Sequence, residues 1–121
     1  MKKIIIVEDD PFIVDIYASQ LKGQGYAVDI ANNGEMALEK IKNNYPDVLL
    51  LDLILPKMDG WEVLKNLRHD PRTKELKVIV ISNLNQKENA DNISSFNVSK
   101  YLLKIQTTPE EISKAVKELI G

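Results

Sequence analysis

The chain has 121 residues with 44% hydrophobic and 28% charged side chains, proportions that suit one soluble globular domain with a core of its own. A formal net charge of −2 provides no global field for nucleic acid or an anionic membrane, and the absence of cysteine excludes disulfides, thiolate metal sites and cysteine nucleophiles. No apolar run approaches the ~20 residues of a membrane span, and the short run before Glu8 is too brief for a signal-peptide core.

Lys3-Ile4-Ile5-Ile6-Val7 reads as a buried strand closed by Glu8-Asp9-Asp10. Asp10-Pro11 has the form of an N-cap followed by proline at the first helical position. The helix that follows is predicted to bury Ile13, Ile16, Tyr17 and Leu21 and to end at Gly23 or Gly25. Tyr26 to Ile30 is a short strand whose partial alternation suits a sheet edge. Asn32-Asn33-Gly34 turns into a second helix with Ala37, Leu38 and Ile41 inward, and Asn43-Asn44-Tyr45-Pro46 stops it.

The strand Asp47 to Leu51 opens the stretch that organises the chain. Val48-Leu49-Leu50-Leu51 is a run of branched apolar residues, the pattern of a strand covered on both faces. Asp52 follows at its mouth, Pro56 blocks further pairing and Asp59-Gly60 supplies turn chemistry. An ionised carboxylate there is costly unless something compensates it. A third helix carries Trp61, Leu64 and Leu67 on one face and breaks at His69-Asp70-Pro71.

Lys77 to Ile81 is the fourth strand, ending at Ser82-Asn83. Gln86 to Phe96 is predicted as a helix poor in packing, with only Ala90, Ile93 and Phe96 to bury. Tyr101-Leu102-Leu103 is the fifth strand and hands over to Lys104. The last helix starts with Thr108 as N-cap, Pro109 at the first helical position and Glu111 as capping-box partner, and it buries Ile112, Ala115, Val116, Leu119 and Ile120. Strand and helix alternate throughout with short links, which predicts an α/β, doubly wound parallel sheet with helices on both faces.

At the C-terminal ends of these strands stand Glu8-Asp9, Asp52, Ser82 and Lys104. In an open parallel sheet these ends share one edge, where ligands bind at the switch in strand order. Clustered carboxylates repel one another unless a hard cation lies between them, and Mg²⁺ suits carboxylates combined with waters and phosphate oxygens. Lys104 supplies a compact positive charge for an anion and Ser82 a hydroxyl donor. An aspartate in such company can act as nucleophile toward phosphorus.

With these residues, and with the run Leu55-Pro56-Lys57-Met58-Asp59-Gly60, the sequence resembles the response-regulator receiver domains of two-component signalling across essentially its whole length. The resemblance implies a flavodoxin-like three-layer sandwich of five strands in the order 2-1-3-4-5 with five helices. It implies one receiver domain over 1–121, without an output domain, in the cytoplasm. It makes Asp52 the acceptor of a phosphoryl group from a sensor histidine kinase or phosphotransfer protein. The metal would be Mg²⁺, held by Asp9, Asp52 and the backbone carbonyl of Ile54, with Glu8 acting through water. Ser82, Lys104 and Tyr101 match the phosphoryl-binding and switch positions. Such a module is not an enzyme in its own right, since it promotes only its own phosphorylation and dephosphorylation. It would switch a face of fourth helix, fifth strand and fifth helix toward an unknown output partner, as a monomer or weak dimer, with neither nucleic acid nor membrane bound by this domain.

Departures from the family pattern lie beside these positions. Ile105 stands where proline is usual after the lysine, which predicts a trans Lys104–Ile105 bond because a non-proline cis bond costs ~2.5–4 kcal/mol. Asn83 replaces a small residue after the switch hydroxyl, and Asn97-Val98 replaces a common Gly-Ala. The resemblance implies that Asn83 and Leu84 border the approach of water to the acceptor; their bulk is expected to slow hydrolysis of the phosphorylated form, the alternative being that the Asn83 amide orients the water and speeds it.

Plainer roles account for several neighbours. Asp10 is a helix cap, Asp59 a turn former with Gly60, His69 an exposed helix-end residue and Trp61 a packing residue, while Tyr101 is also an ordinary strand residue. A flavodoxin-type FMN site would need a phosphate-cradling loop where Glu8-Asp9-Asp10 stands. A dinucleotide site would need its glycines after a strand, but Gly23-Gln24-Gly25 follows a helix. A dehalogenase-type phosphohydrolase would need a second Asp where Ile54 stands. The remaining alternative is a receiver-like interaction module that works without phosphorylation.

Overall fold

A computed structural model describes residues 1–85 and 87–121. In chain order it comprises β1 (Lys3–Val7), α1 (Pro11–Gly23), β2 (Ala27–Ala31), α2 (Gly34–Asn43), β3 (Val48–Leu51), α3 (Gly60–His69), β4 (Val78–Ser82), α4 (Ala90–Ser95), β5 (Lys100–Leu103), a 3₁₀ turn (Lys104–Gln106) and α5 (Pro109–Ile120). The strands form one parallel sheet in the order β2-β1-β3-β4-β5. The chain steps outward from β1 to β2, then returns to build the other side from β3. The reversal lies between β1 and β3, and it opens a crevice beyond their C-terminal ends.

The apolar runs of the inner strands supply two cores by simple alternation. Ile5, Val7, Leu49, Leu51, Val78 and Val80 face α2 and α3, which contribute Ala37, Ile41, Val63, Leu64 and Leu67. Ile4, Ile6, Val48, Leu50, Ile79 and Ile81 face α1 and α5, which contribute Tyr17, Leu21, Ile112 and Val116. Every residue of β3 and β4 is buried, whereas β2 and β5 at the edges are mostly half-buried.

Strand limits agree with the sequence reading to within a residue, and the α5 capping box is present, Thr108 Oγ1 accepting from Glu111 N at 3.2 Å and Glu111 Oε1 accepting from Thr108 N at 3.1 Å. Two helices differ from expectation. The buried stripe of α1 is Val14, Tyr17, Ala18 and Leu21, while Ile16 is 52% exposed. Spacing of three and four residues joins Val14 to Leu21, and Ile16 lies off that line.

The fourth helix, predicted from Gln86 to Phe96, is one short turn-and-a-half from Ala90 to Ser95 with no buried residue, and Gln86 itself lies outside the described residues. The cause is local competition by asparagine. Asn85 Oδ1 accepts from Lys87 N at 2.8 Å and Glu88 N at 3.2 Å, and Asn89 Nδ2 donates to Asn85 O at 2.8 Å. Those bonds satisfy the backbone in a turn instead of a helix.

Asn97, in the position where the family favours glycine, adopts φ +52°, in the left-handed region that asparagine tolerates better than most residues. No cis peptide bond occurs among the described residues, so Lys104–Ile105 is trans as predicted.

Candidate functional site

The ends of β1 and β3 hold the acidic residues through backbone bonds that extend the sheet. Glu8 N donates to Ala31 O at 3.0 Å, and Asp52 N donates to Val7 O at 3.0 Å. Glu8 and Asp52 are both buried, whereas Asp9 is exposed. One carboxylate oxygen from each of the three lies within 4.8 Å of the others. Asp10 points elsewhere and caps α1, accepting from Phe12 N at 2.9 Å, so its plainer role holds.

Lys104 is the cation that meets this cluster. Its Nζ lies 2.8 Å from Asp52 Oδ2 and 2.5 Å from Glu8 Oε1. The lysine side chain is 14% exposed and those of Glu8 and Asp52 only 3% and 6%, so the group is sheltered from screening by solvent. Burial works against the lysine charge, but the carboxylates outweigh it and hold the pKa above the usual lysine value. Burial pushes the Glu8 carboxyl up, with Lys104 pulling in the other direction.

The remaining contacts fix geometry. Asp52 Oδ1 accepts from Ile54 N at 3.2 Å, and Glu8 Oε2 accepts from Asp10 N at 3.1 Å. Among the described residues, Glu8 Oε1 is engaged by the Lys104 ammonium alone. Three carboxylates that bring one oxygen each within 4.8 Å of the others fit the oxygen-rich coordination of Mg²⁺. Ile54 follows Asp52 into the loop with its side chain 59% exposed.

Ser82 is fully buried at the end of β4, where its Oγ accepts from Leu84 N at 3.2 Å. Tyr101 is half-buried, and its hydroxyl donates to Leu84 O at 2.7 Å. Burial raises the Tyr101 pKa, with the neighbouring Ser82 hydroxyl opposing it. Ser82 and Tyr101 thus hold the same short segment from two sides. Leu84 is half-buried between them, while Asn83 is exposed and its Oδ1 accepts from Ile105 N at 3.0 Å.

Several supporting residues escaped sequence reasoning. Asp59 caps α3, its Oδ1 accepting from Glu62 N at 3.0 Å, which is a stronger role than the simple turn expected of it. Gly60 is required by space, since a Cβ there would lie 2.5 Å from Asp52 O and 2.6 Å from Leu53 Cα. Any side chain at 60 would displace the backbone of Asp52 itself. The signal was present as an Asp-Gly pair before an amphipathic helix, a cap followed by a close approach. Trp61 is half-buried with its ring 6.3 Å from that of Phe96, and His69 lies exposed in the last turn of α3, both as expected.

The comparisons agree with this geometry. The family model for the response regulator receiver domain matches residues 4–117. The transcriptional regulator RpaA of Synechocystis is 37% identical over 97 residues, covering 80% of this chain and 39% of RpaA. Among solved structures, a CheY-like receiver domain protein of Methanospirillum hungatei superposes with a TM-score of 0.88 at 30% identity, over 98% of this chain and 92% of that one. The chemotaxis protein CheY4 of Vibrio cholerae gives 0.90 at 25% identity, covering 98% of each chain. The chain therefore belongs to the response regulator receiver domain family, with the five-stranded CheY-type fold. It spans well under half the length of RpaA.

Proposed function

We propose that this chain takes a phosphoryl group onto Asp52 from a histidine kinase or phosphotransfer protein and uses it to change a partner-binding face. Receiver domains act as signalling modules between such donors and output domains, and this chain is one of them. The observation that carries the finer reading is the convergence of three carboxylates and Lys104 at the switch point of the sheet. A lone structural carboxylate would need no such company.

Asp9, Asp52 and the Ile54 carbonyl are the residues that would hold Mg²⁺ directly, with Glu8 through water. When bound, the ion neutralises charge on the phosphoryl oxygens. The chain's own residues do the rest. Asp52 is held in place by its bonds to Ile54 N and Lys104 Nζ. One of its oxygens forms a bond to phosphorus as the bond between phosphorus and the donor imidazole nitrogen breaks, the electron pair staying with the imidazole. Lys104 then faces an anion larger and more charged than the carboxylate it now contacts, and the buried Ser82 hydroxyl at the end of β4 is a neutral donor for it.

Uptake of phosphoryl from acetyl phosphate tests this reading. With Mg²⁺ the intact protein should gain one phosphoryl mass, and with chelator it should gain none. Asp9→Asn should require more Mg²⁺ for the same uptake. No uptake under any condition favours the interaction module that works without phosphorylation, and uptake indifferent to Mg²⁺ contradicts the metal site at Asp9 and Asp52.

Movement of Ser82 toward the phosphoryl group would release Leu84 N and disturb the bond from Tyr101 to Leu84 O. The segment next in line is α4, which buries no residue and so shifts at small cost. The face of α4, β5 and α5 is then the output surface. Beryllofluoride with Mg²⁺ should move amide resonances along that face; changes confined to the loops around Asp52 would contradict the coupling.

A further inference from the structure

The pairing of β4 with β5 ends at Ser82 and Leu103, so Asn83 and Lys104 are the next residues along each strand. One step further the link is made by a side chain, Asn83 Oδ1 accepting from the backbone N–H of Ile105 at 3.0 Å. The acceptor is the amide oxygen, because a peptide nitrogen only donates. Apart from the ion pairs of the Lys104 side chain, little else fastens the backbone of the turn that carries it. Lys104–Gln106 buries no residue, Ile105 is 76% exposed, and the closing contact from Thr107 N to Lys104 O is 3.5 Å long. Its other hold is Thr107 Oγ1 donating to Leu103 O at 2.7 Å, a bond within the same strand end.

Both ends of the Asn83 bond adjoin groups of the site. Asn83 follows Ser82, and Ile105 follows Lys104, whose ammonium contacts Asp52 and Glu8. We propose that Asn83 is a positioning residue: its bond to Ile105 N–H clasps the Lys104 turn to the end of β4, so that Lys104 and Ser82 present a fixed pair of donors to the phosphoryl group. The proposal rests on the receiver reading above. It also assigns a use to the N–H that a proline at 105 would lack.

The test is calorimetric binding of beryllofluoride at saturating Mg²⁺. Asn83 is exposed, so shortening its side chain opens no cavity in the core. Asn83→Ala should bind about 3- to 10-fold more weakly, the range of one net hydrogen bond. Asn83→Asp keeps an acceptor oxygen and should stay within about 2-fold of wild type. Ile105→Pro removes the donor and should weaken binding as Asn83→Ala does, with no further loss when the two are combined. The Ile105 amide should exchange slowly with solvent in the wild type and rapidly in Asn83→Ala. Equal binding by wild type and Asn83→Ala, equal loss in Asn83→Asp, or losses that multiply in the double variant would each overturn the clasp while leaving the receiver reading intact. A wild type that fails to bind beryllofluoride overturns that reading and the clasp with it.

Discussion

Lys104→Met should cost the folded protein about 3 kcal/mol at neutral pH in the absence of Mg²⁺. The lysine is the one cation in contact with Glu8 and Asp52 among the described residues, and its removal leaves two buried carboxylates facing each other. The sign of the pH response follows from Glu8. Its folded pKa already lies above the ordinary 4.5, because burial outweighs the pull of Lys104. Without the lysine it rises further. Between the unfolded and folded values the native state binds more protons than the unfolded one, so stability falls as pH rises through that window. Acidifying the variant from neutrality toward about pH 5 should therefore recover part of the loss. Wild type should lose the lysine's contribution only at the alkaline end, above the usual 10.5. Mg²⁺ should also restore the variant, since a cation that binds only the folded cluster stabilises it by mass action. Urea unfolding with and without Mg²⁺ measures all three. A variant as stable as wild type at neutral pH without metal would mean that Lys104 does not compensate the cluster.

Arg68→Ala should be comparably severe, far from the acidic site. The half-buried guanidinium donates to Phe96 O at 2.7 Å, Leu76 O at 2.8 Å, Lys74 O at 3.0 Å and Asn97 O at 3.2 Å, with Thr73 O at 3.4 Å. It thereby fastens the end of α3 to the connection before β4 and to the turn that closes α4. Burial lowers its pKa, and no carboxylate lies in ion-pair contact with it among the described residues. Loss of the fork leaves several carbonyls short of a donor, at about 2–4 kcal/mol. Arg68→Lys should recover little, because an ammonium cannot span carbonyls on two segments as a planar fork does. Amides around Phe96 and Asn97 should lose exchange protection first. Urea midpoints within error of wild type for both variants would show that the carbonyls find water instead.

Much of the fold was legible because the inner strands carry apolar residues on both faces, a pattern that only a sheet covered on both sides accommodates. The site was legible for a related reason. Glu8, Asp52, Ser82 and Lys104 each break an apolar strand at its C-terminal end, and parallel topology brings those ends together. What remained hidden depends on side chains reaching across distant segments. Asn83 and Ile105 look like separate departures from the family pattern, yet they are acceptor and donor of one bond. Arg68 has no partner in the neighbouring sequence that marks it out, and only the fold brings Phe96 and Asn97 to it. The fourth helix is shorter than its sequence predicts because the side chains of Asn85 and Asn89 close a turn of their own before it. Ile16 is expected inside with Ile13, Tyr17 and Leu21, but the buried stripe runs through Val14, Ala18 and Leu21 and leaves it outward.

The central claim is that Asp52 carries the phosphoryl group, and locating the label on the chain tests it most directly. The protein would be treated with acetyl phosphate and Mg²⁺, the acyl phosphate reduced with borohydride to a stable homoserine, and the peptides analysed by mass spectrometry. The account predicts homoserine at position 52 in the wild type, and no labelled peptide in Asp52→Asn, in which the nucleophilic carboxylate is gone. Label at Glu8 or Asp9 in the wild type, or labelling of Asp52→Asn at the wild-type level, would contradict it.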